Sequence, residues 1–298
     1  MTSASRPVSV VPAVAAVIPH LDRIAETAAC CRALAAQTLP LAAILVVDNG
    51  STAHAPEELA AACPNAQILR LAENRGFAGG VNAGLRAALA RPEIDFAWVL
   101  NNDTVAAPAA LEKLVAAATA DPRIGLVGCP LLEGAPEADR RRVAPGKNLR
   151  EPWAVPMLPR AGETPDYLSG ACLLIRRNLL ADIGLFDEGF FFFFEDADFS
   201  RRARDQGWRL AVATGAQVEH RGSATIRRMG ELQARAYRAG HVRYLRKYAR
   251  LPFCAAFPPF VVRLALDALR LNGAAIRGNW RGWRTGWQAP LAPSAPPA

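Results

Sequence analysis

Residues 42–50 read "AAILVVDNG": an unbroken apolar run that stops at Asp48-Asn49-Gly50. A continuous run with β-branched residues, closed by turn formers, is the pattern of a strand buried on both faces. "VSVVPAVAAVIP" (8–19) is a second such run, and the Ala/Leu-rich stretch 22–38 lies between the two. "AQILRLAEN" (66–74) and "FAWVLNND" (96–103) follow further amphipathic stretches, the latter at 79–90. Short apolar strands alternating with helices imply βαβ units, hence an α/β fold with a mostly parallel sheet covered on both sides. Chemistry in such a fold belongs at the carboxyl ends of the strands.

Polar residues collect at those ends: His20-Leu21-Asp22, Asp48-Asn49-Gly50, Asn74-Arg75-Gly76 and Asn101-Asn102-Asp103. Asp48 taken alone is a turn former as readily as a ligand. "NRGFAGGVNAGL" (74–85) has glycines that let backbone approach a ligand and a helix start that offers free N–H groups to phosphate. It is neither a Walker loop nor a G-x-G-x-x-G. Asp103 stands where a hard cation could be shared with substrate phosphates, or where it simply caps a helix over 108–120.

Residues 133–165 are proline-rich, contain Arg140-Arg141-Arg142 and show little apolar periodicity, so a long loop is expected. "YLSGACLLIRR" (167–177) resumes an apolar strand, "RNLLADIG" reads as a short helix ended by Gly184, and "RLAVATGAQVEH" (209–220) as a last strand ending on His220. Between them "FFFFFEDADF" (190–199) sets a phenylalanine run against Glu195, Asp196 and Asp198, at the start of a helix expected over 195–208. Buried unpaired carboxylates are costly, so this juxtaposition asks for a chemical reason. Asp198 and Arg201 fall on nearby helical faces and are expected to pair.

The composition is globular, 51% hydrophobic and 21% charged over 298 residues. Six scattered cysteines form no zinc or disulfide pattern and read as reduced thiols, which suggests a cytoplasmic setting. The net charge of +8 is uneven: residues 1–220 carry 21 Lys/Arg against 25 Asp/Glu, residues 221–298 carry 14 against 2. A basic tail meets something anionic, a membrane surface or nucleic acid. No nucleic-acid motif is present, and the strand-end acids argue against that partner. No uncharged apolar run reaches the roughly 18 residues of a spanning helix; Leu251–Val262 is interrupted by Pro252, Pro258 and Pro259, so no span is expected.

"VIPHLDR", "LVVDNGST", "ENRGFAGGVNAGL", "VLNNDT", "LSGACLLIRR", "GLFDEGFFFFFEDADFSRRARDQGW" and "VEHRGSAT" together resemble, in order, the family 2 inverting glycosyltransferases, and most of all their rhamnosyltransferase-like branch. The resemblance runs from about 8 to 225 and implies a GT-A fold, a Rossmann-like α/β/α sandwich that binds a nucleotide sugar and a divalent cation (Mg²⁺ or Mn²⁺). It implies that Pro19 lines the base pocket and Asp48 accepts from a uracil or thymine imide. Asn74, Gly76 and Asn82 would shape the donor cradle, with Asn101 and Asn102 beside it. Asp103 and His220 would hold the metal, Asp196 would be the base, and Glu195 would position the sugar or its neighbour. Ser169, Gly170 and Arg201 would lie on the acceptor side. Asn101 replaces the first Asp of the family's metal motif, and His20-Leu21-Asp22 replaces its usual Thr-Tyr-Asn. The donor implied is dTDP-rhamnose, with UDP-galactofuranose or another UDP-sugar as alternatives; the acceptor is a glycan or polyprenyl-linked sugar of the cell envelope. A catalytically inactive scaffold is the competing class. A sugar nucleotidyltransferase is disfavoured because "VIPHLDR" has no glycine-rich phosphate loop.

The chain therefore divides into a catalytic unit, 8–224, and basic helices, 225–298. In the latter, Arg263, Arg270, Arg277 and Arg284 recur at a spacing close to two helical turns and read as one cationic stripe, with Trp280, Trp283 and Trp287 nearby. That is the pattern of a peripheral anchor on the anionic inner face of a membrane. Gly273, Gly278, Gly282 and Gly286 weaken the helix they sit in.

Overall fold

The structure, a computed structural model, describes residues 11–134, 141–160, 162–221 and 230–291. The first residues of the expected first strand, Arg140, and the expected 224/225 boundary lie outside them. The N-terminal half alternates as β1 (Val14–His20), α1 (Ile24–Ala35), β2 (Ala43–Asp48), α2 (Pro56–Ala62), β3 (Gln67–Arg70), α3 (Gly76–Leu89) and β4 (Phe96–Leu100). Next come β5 (Thr104–Ala106), α4 (Ala110–Thr119), β6 (Ile124–Gly128), β7 (Leu131–Glu133), β8 (Arg141–Val143), β9 (Gly146–Arg150), β10 (Val155–Met157), β11 (Tyr167–Leu168) and β12 (Cys172–Arg176). The remainder is α5 (Arg177–Ile183), α6 (Glu195–Asp205), β13 (Arg209–Val212), β14 (Val218–His220), α7 (Gly230–Tyr248), α8 (Pro252–Leu269) and α9 (Gly273–Gln288).

The main sheet has seven strands in the order β13-β6-β12-β4-β1-β2-β3. All are parallel except β12, which runs antiparallel to both β4 and β6. Side-chain alternation along β1 splits the core. Val14, Ala16 and Ile18 face the layer of α1 and α4, while Ala15 and Val17 face α3, α5 and α6. Burying each such Val or Ile contributes roughly 1.5–3 kcal/mol. The chain leaves β1 toward β2 and β3 on one side and toward β4 on the other, so the order reverses between β1 and β4. Open α/β sheets bind ligands at such a reversal.

Three expectations are corrected. The stretch 133–165 is not a plain loop: β9 pairs with β10 and β11 in a small sheet, and β8 joins β5, β14 and β7 in another. These strands are short and half-exposed, so they carry no apolar period to read. The stretch 209–220 is two strands in two sheets, because the chain turns at Ala213–Gln217 and β14 pairs with β5 and β7 instead. The arginine stripe does not exist: Arg263 lies on α8, Arg270 caps its end, and Arg277 and Arg284 lie on α9 beyond a break at Leu271 (φ 53°).

The α9 glycines pack rather than weaken. A Cβ on Gly278 would strike the Glu231 carbonyl, one on Gly282 the Arg235 carbonyl, and one on Gly286 the Val242 side chain, all on α7. The seam lets the two helix backbones close. Trp283 and Trp287 then stack among Phe253, Phe257 and Phe260 of α8, and only Trp280 is largely exposed. α8 continues through Pro258 and Pro259 for 18 residues. It is the one helix among the described residues long and apolar enough to cross a membrane, which the proline count had argued against.

Candidate functional site

β1, β2 and β4 end together, placing Pro19-His20, Asp48-Asn49 and Asn101-Asn102-Asp103 along one rim. Asp48 is fully buried and is the register partner of His20. Its Oδ1 accepts from the Ser51 amide (2.9 Å). Its Oδ2 lies 3.1 Å from the Arg70 guanidinium, yet receives no aligned hydrogen bond from the described residues. A buried carboxylate oxygen left open as an acceptor is an invitation to an N–H donor. Pro19 points to the other face, toward Gly80. His20 is held by Thr27 (2.6 Å) and His54 (2.8 Å), and burial pushes its pKa down to about 4 against the pull of Asp48.

The glycine turn is tied down internally. Asn74 Oδ1 accepts from the Gly76 amide (2.9 Å), and Asn49 bonds both Asn74 and the Gly76 carbonyl. Gly76 has φ +71°, and a Cβ there would strike the Phe191 carbonyl. Asn82 exchanges two hydrogen bonds with Phe186 and a third with Glu188, so its amide ties α3 to the segment leading into the phenylalanine run. Asn74 and Asn82 thus shape the rim through hydrogen bonds, and Gly76 through close backbone approach.

β14 carries His220 back to the rim. Pairing with β5 sets His220 opposite Thr104, and pairing with β7 sets it opposite Glu133. His220 Nε2 lies 3.3 Å from Asp103 Oδ1 and 3.3 Å from Asn101 Nδ2, while Nδ1 lies 3.0 Å from Glu133. Burial alone would lower the imidazole's pKa, but hydrogen bonds and charge from Asp103 and Glu133 override it and raise it. Asn102 donates to Thr27 (3.0 Å). Among the described residues no group of three or more His, Cys, Asp and Glu converges on a metal position. Glu133, which nothing in the sequence motifs marked, enters through the β7–β14 pairing.

β12 joins this rim to the acids. Its antiparallel register puts Cys172 beside Leu100, and the Ala171 carbonyl accepts from the Asn101 amide (3.1 Å). Ser169 and Gly170 sit just before it, and a backbone hydrogen bond from Gly170 reaches Asp196. Asp196 is half-buried on the first turn of α6, with its Oδ1 also accepting from the Ala197 amide (2.8 Å). Burial pushes its pKa up to about 6, opposed by those hydrogen bonds and the charge of Lys147. Glu195 is buried with Oε2 unpartnered among the described residues, and burial together with the charge of Asp196 holds its pKa well above the carboxylate range. The two acids titrate as a pair, both held above their ordinary range.

The phenylalanine run is not one wall. Phe190 and Phe194 turn into a cluster with Val242, Tyr244 and Leu245 of α7, Phe192 meets Phe77, and Phe191 is 51% exposed. Phe193 and Phe194 both adopt left-handed φ (70° and 69°), a conformation costing of order 1–3 kcal/mol each and characteristic of functional segments. Arg201 pairs with Asp205 (2.9 Å), not with Asp198; fully buried Asp198 takes Arg202 at i+4 (2.9 Å) instead. Arg201 lines a cleft with Arg204, Asp166, Glu151 and Tyr244 beside Ala197.

Known proteins share the fold that carries this rim. The family model "Glycosyl transferase family 2" fits residues 15–184. An N-acetylglucosaminyl-diphospho-decaprenol L-rhamnosyltransferase of Mycobacterium tuberculosis (strain CDC 1551 / Oshkosh) is 29% identical over 228 residues, covering 68% of this chain and 72% of the relative. The solved structure of GalNAc-T7 with UDP, GalNAc and Mn²⁺ superposes with a TM-score of 0.61 at 15% identity, over 92% of this chain and 55% of that one. The mannosyltransferase PcManGT of Pyrobaculum calidifontis, in complex with GDP-Man and Mn²⁺, gives 0.56 at 17% identity, over 95% and 77%. The chain belongs to glycosyltransferase family 2, and it is a glycosyltransferase with the GT-A fold.

Proposed function

We propose that this glycosyltransferase moves L-rhamnose from dTDP-rhamnose, with inversion, onto a glycan or polyprenyl-linked acceptor of the cell envelope. The observation that carries the reading is Asp196: a largely buried carboxylate poised at about 6, on a helix start linked through Gly170 to the strand-end rim. In a single displacement the acceptor oxygen bonds to the anomeric carbon as the bond to the diphosphate breaks, and Asp196 takes the acceptor's proton. Asp48 Oδ2 receives the imide N–H of thymine or uracil. Glu195, whose burial favours the protonated form, limits negative charge beside the base. Asp103 and His220 offer one oxygen and one nitrogen donor side by side, a pair that would hold a divalent cation together with the donor diphosphate. Such a cation would supply charge neutralisation for the departing diphosphate. The named rhamnosyltransferase relative supports the sugar and the lipid-linked acceptor.

The same reading places the catalytic unit, 8–224, on a membrane surface through 225–298. α8 exposes Phe253, Phe257, Val262 and Leu269, and Leu271 follows at 92% exposure. Arg270, Arg277 and Arg284 lie exposed nearby. An apolar face rimmed with arginines suits the anionic cytoplasmic leaflet, where polyprenyl-linked acceptors are held. The deciding experiment supplies dTDP-rhamnose, Mn²⁺ and a lipid-diphosphate-linked N-acetylglucosamine and reads product anomer by NMR. Transfer with inverted anomeric configuration supports the reading. Thermal stabilisation by purine nucleotides alone, with no transfer, ends it.

A further inference from the structure

Asp187 and Asp198 flank the Phe190–Phe194 run, and both are buried. Each is held by α7, beyond the family-matched residues. Arg243 Nη2 lies 3.0 Å from both Asp187 oxygens. Lys247 Nζ bonds Asp187 Oδ2 (3.0 Å) and also reaches Asp198 Oδ1, which takes the Tyr248 hydroxyl at 2.8 Å. Both cations stand over the Phe190 ring, at 5.3 Å and 5.5 Å from its centre. Glycines make the fit possible: a Cβ on Gly189 would strike the Arg243 guanidinium, and one on Gly240 would lie 2.5 Å from the Phe193 carbonyl. The two left-handed phenylalanines lie inside this clamp, and the acids Glu195 and Asp196 follow at once.

We propose that Lys247 and Arg243 are positioning residues for transfer: by fixing both ends of the phenylalanine run they set where Asp196 points. Unclamped, the left-handed turn relaxes toward ordinary φ and α6 loses its first turn. Reaction rates are sensitive to such ångström-scale misplacement. The inference rests on Asp196 acting as base.

The test compares Lys247→Met and Lys247→Arg in the full chain. Transfer is expected to fall about 10- to 100-fold in kcat for Lys247→Met, with donor KM within twofold, and Lys247→Arg to recover most of it. Hydrogen exchange gives a readout independent of turnover. Amides of 190–197 are expected to lose protection in Lys247→Met while those of β1, β2 and β4 keep theirs. Unchanged exchange at 190–197 overturns the clamp even if no donor is ever turned over. Faster exchange with an unchanged kcat in an active enzyme overturns the positioning role. Faster exchange in a protein whose wild type transfers no rhamnose leaves the clamp standing and removes the rhamnosyl-transfer reading instead.

Discussion

His220 Nε2 stands 3.3 Å from Asp103 Oδ1 although the two come from opposite halves of the chain, and the antiparallel β5–β14 ladder is what brings them together. If this pair holds the cation for the donor diphosphate, Asp103→Ala should abolish Mn²⁺-dependent stabilisation by dTDP- and UDP-sugars in thermal-shift titrations. The melting point without ligand should move little, since Asp103 lies at the rim and not in the core. Metal-dependent stabilisation of undiminished size in the variant would reject the pair as ligands.

Asp196→Asn should lower kcat by roughly 10² to 10⁴, the usual contribution of general acid–base help. Donor affinity should stay within twofold, because the amide is nearly isosteric and the nucleotide contacts lie on the β1, β2 and β4 ends. Wild-type turnover should be flat above about pH 7 and fall about tenfold per unit below about pH 6, where Asp196 takes up its proton. The Asn variant should lose that limb, as measured by initial rates across the range.

Most of the sheet and the strand-end rim were legible because each buried strand announces itself as an apolar run closed by polar residues, as at Val46-Val47-Asp48. The meeting of Asp103 and His220 was foreseen only through family resemblance: neither residue is unusual in its local sequence. Contacts made by register were not legible at all. Glu133 meets His220 because β7 pairs with β14, and Asp198 meets Lys247 because α7 folds back over α6. The phenylalanine run shows the limit most clearly. Its apolarity was plain, but the direction of each ring depends on the left-handed φ at Phe193 and Phe194, which bulky residues rarely adopt.

The α7–α9 seam should be intolerant of side chains. Gly282→Val places a branched group against the Arg235 backbone, forcing the helices apart and loosening Trp283 and Trp287 from α8. Overpacking of this kind costs typically 1–3 kcal/mol, read as a lower melting point with a shift in tryptophan emission. A variant as stable as the wild type would show that the helices do not meet as described.

Membrane association should depend on the α8 face more than on arginine. Replacing Val262, Leu269 and Leu271 by Ser removes exposed apolar surface without touching the core, so folding should persist while co-sedimentation with anionic liposomes falls. Binding that survives these changes but vanishes at high salt would assign the contact to the exposed arginines alone.

The last prediction concerns Glu195, which is buried, unpartnered at Oε2 and held well above its ordinary pKa by burial and by Asp196. Its sign follows from linkage. In the unfolded chain the carboxyl ionises near its ordinary pKa, about 4.3, while in the folded protein it stays protonated to higher pH. Over that window the folded state binds more protons, so this group's contribution to stability declines as pH rises. Glu195→Gln supplies a neutral isostere that needs no proton. It should therefore raise the melting point at pH 7 to 8, by about 2–4 °C per kcal/mol for a chain of this size, and the gain should vanish near pH 4. Transfer should fall only modestly if Glu195 serves to keep charge away from Asp196, and the acid limb of the rate profile should stay in place, because the amide is as uncharged as the protonated acid it replaces. A Gln variant less stable at pH 8 than the wild type would mean that Glu195 is ionised and paired in the folded protein.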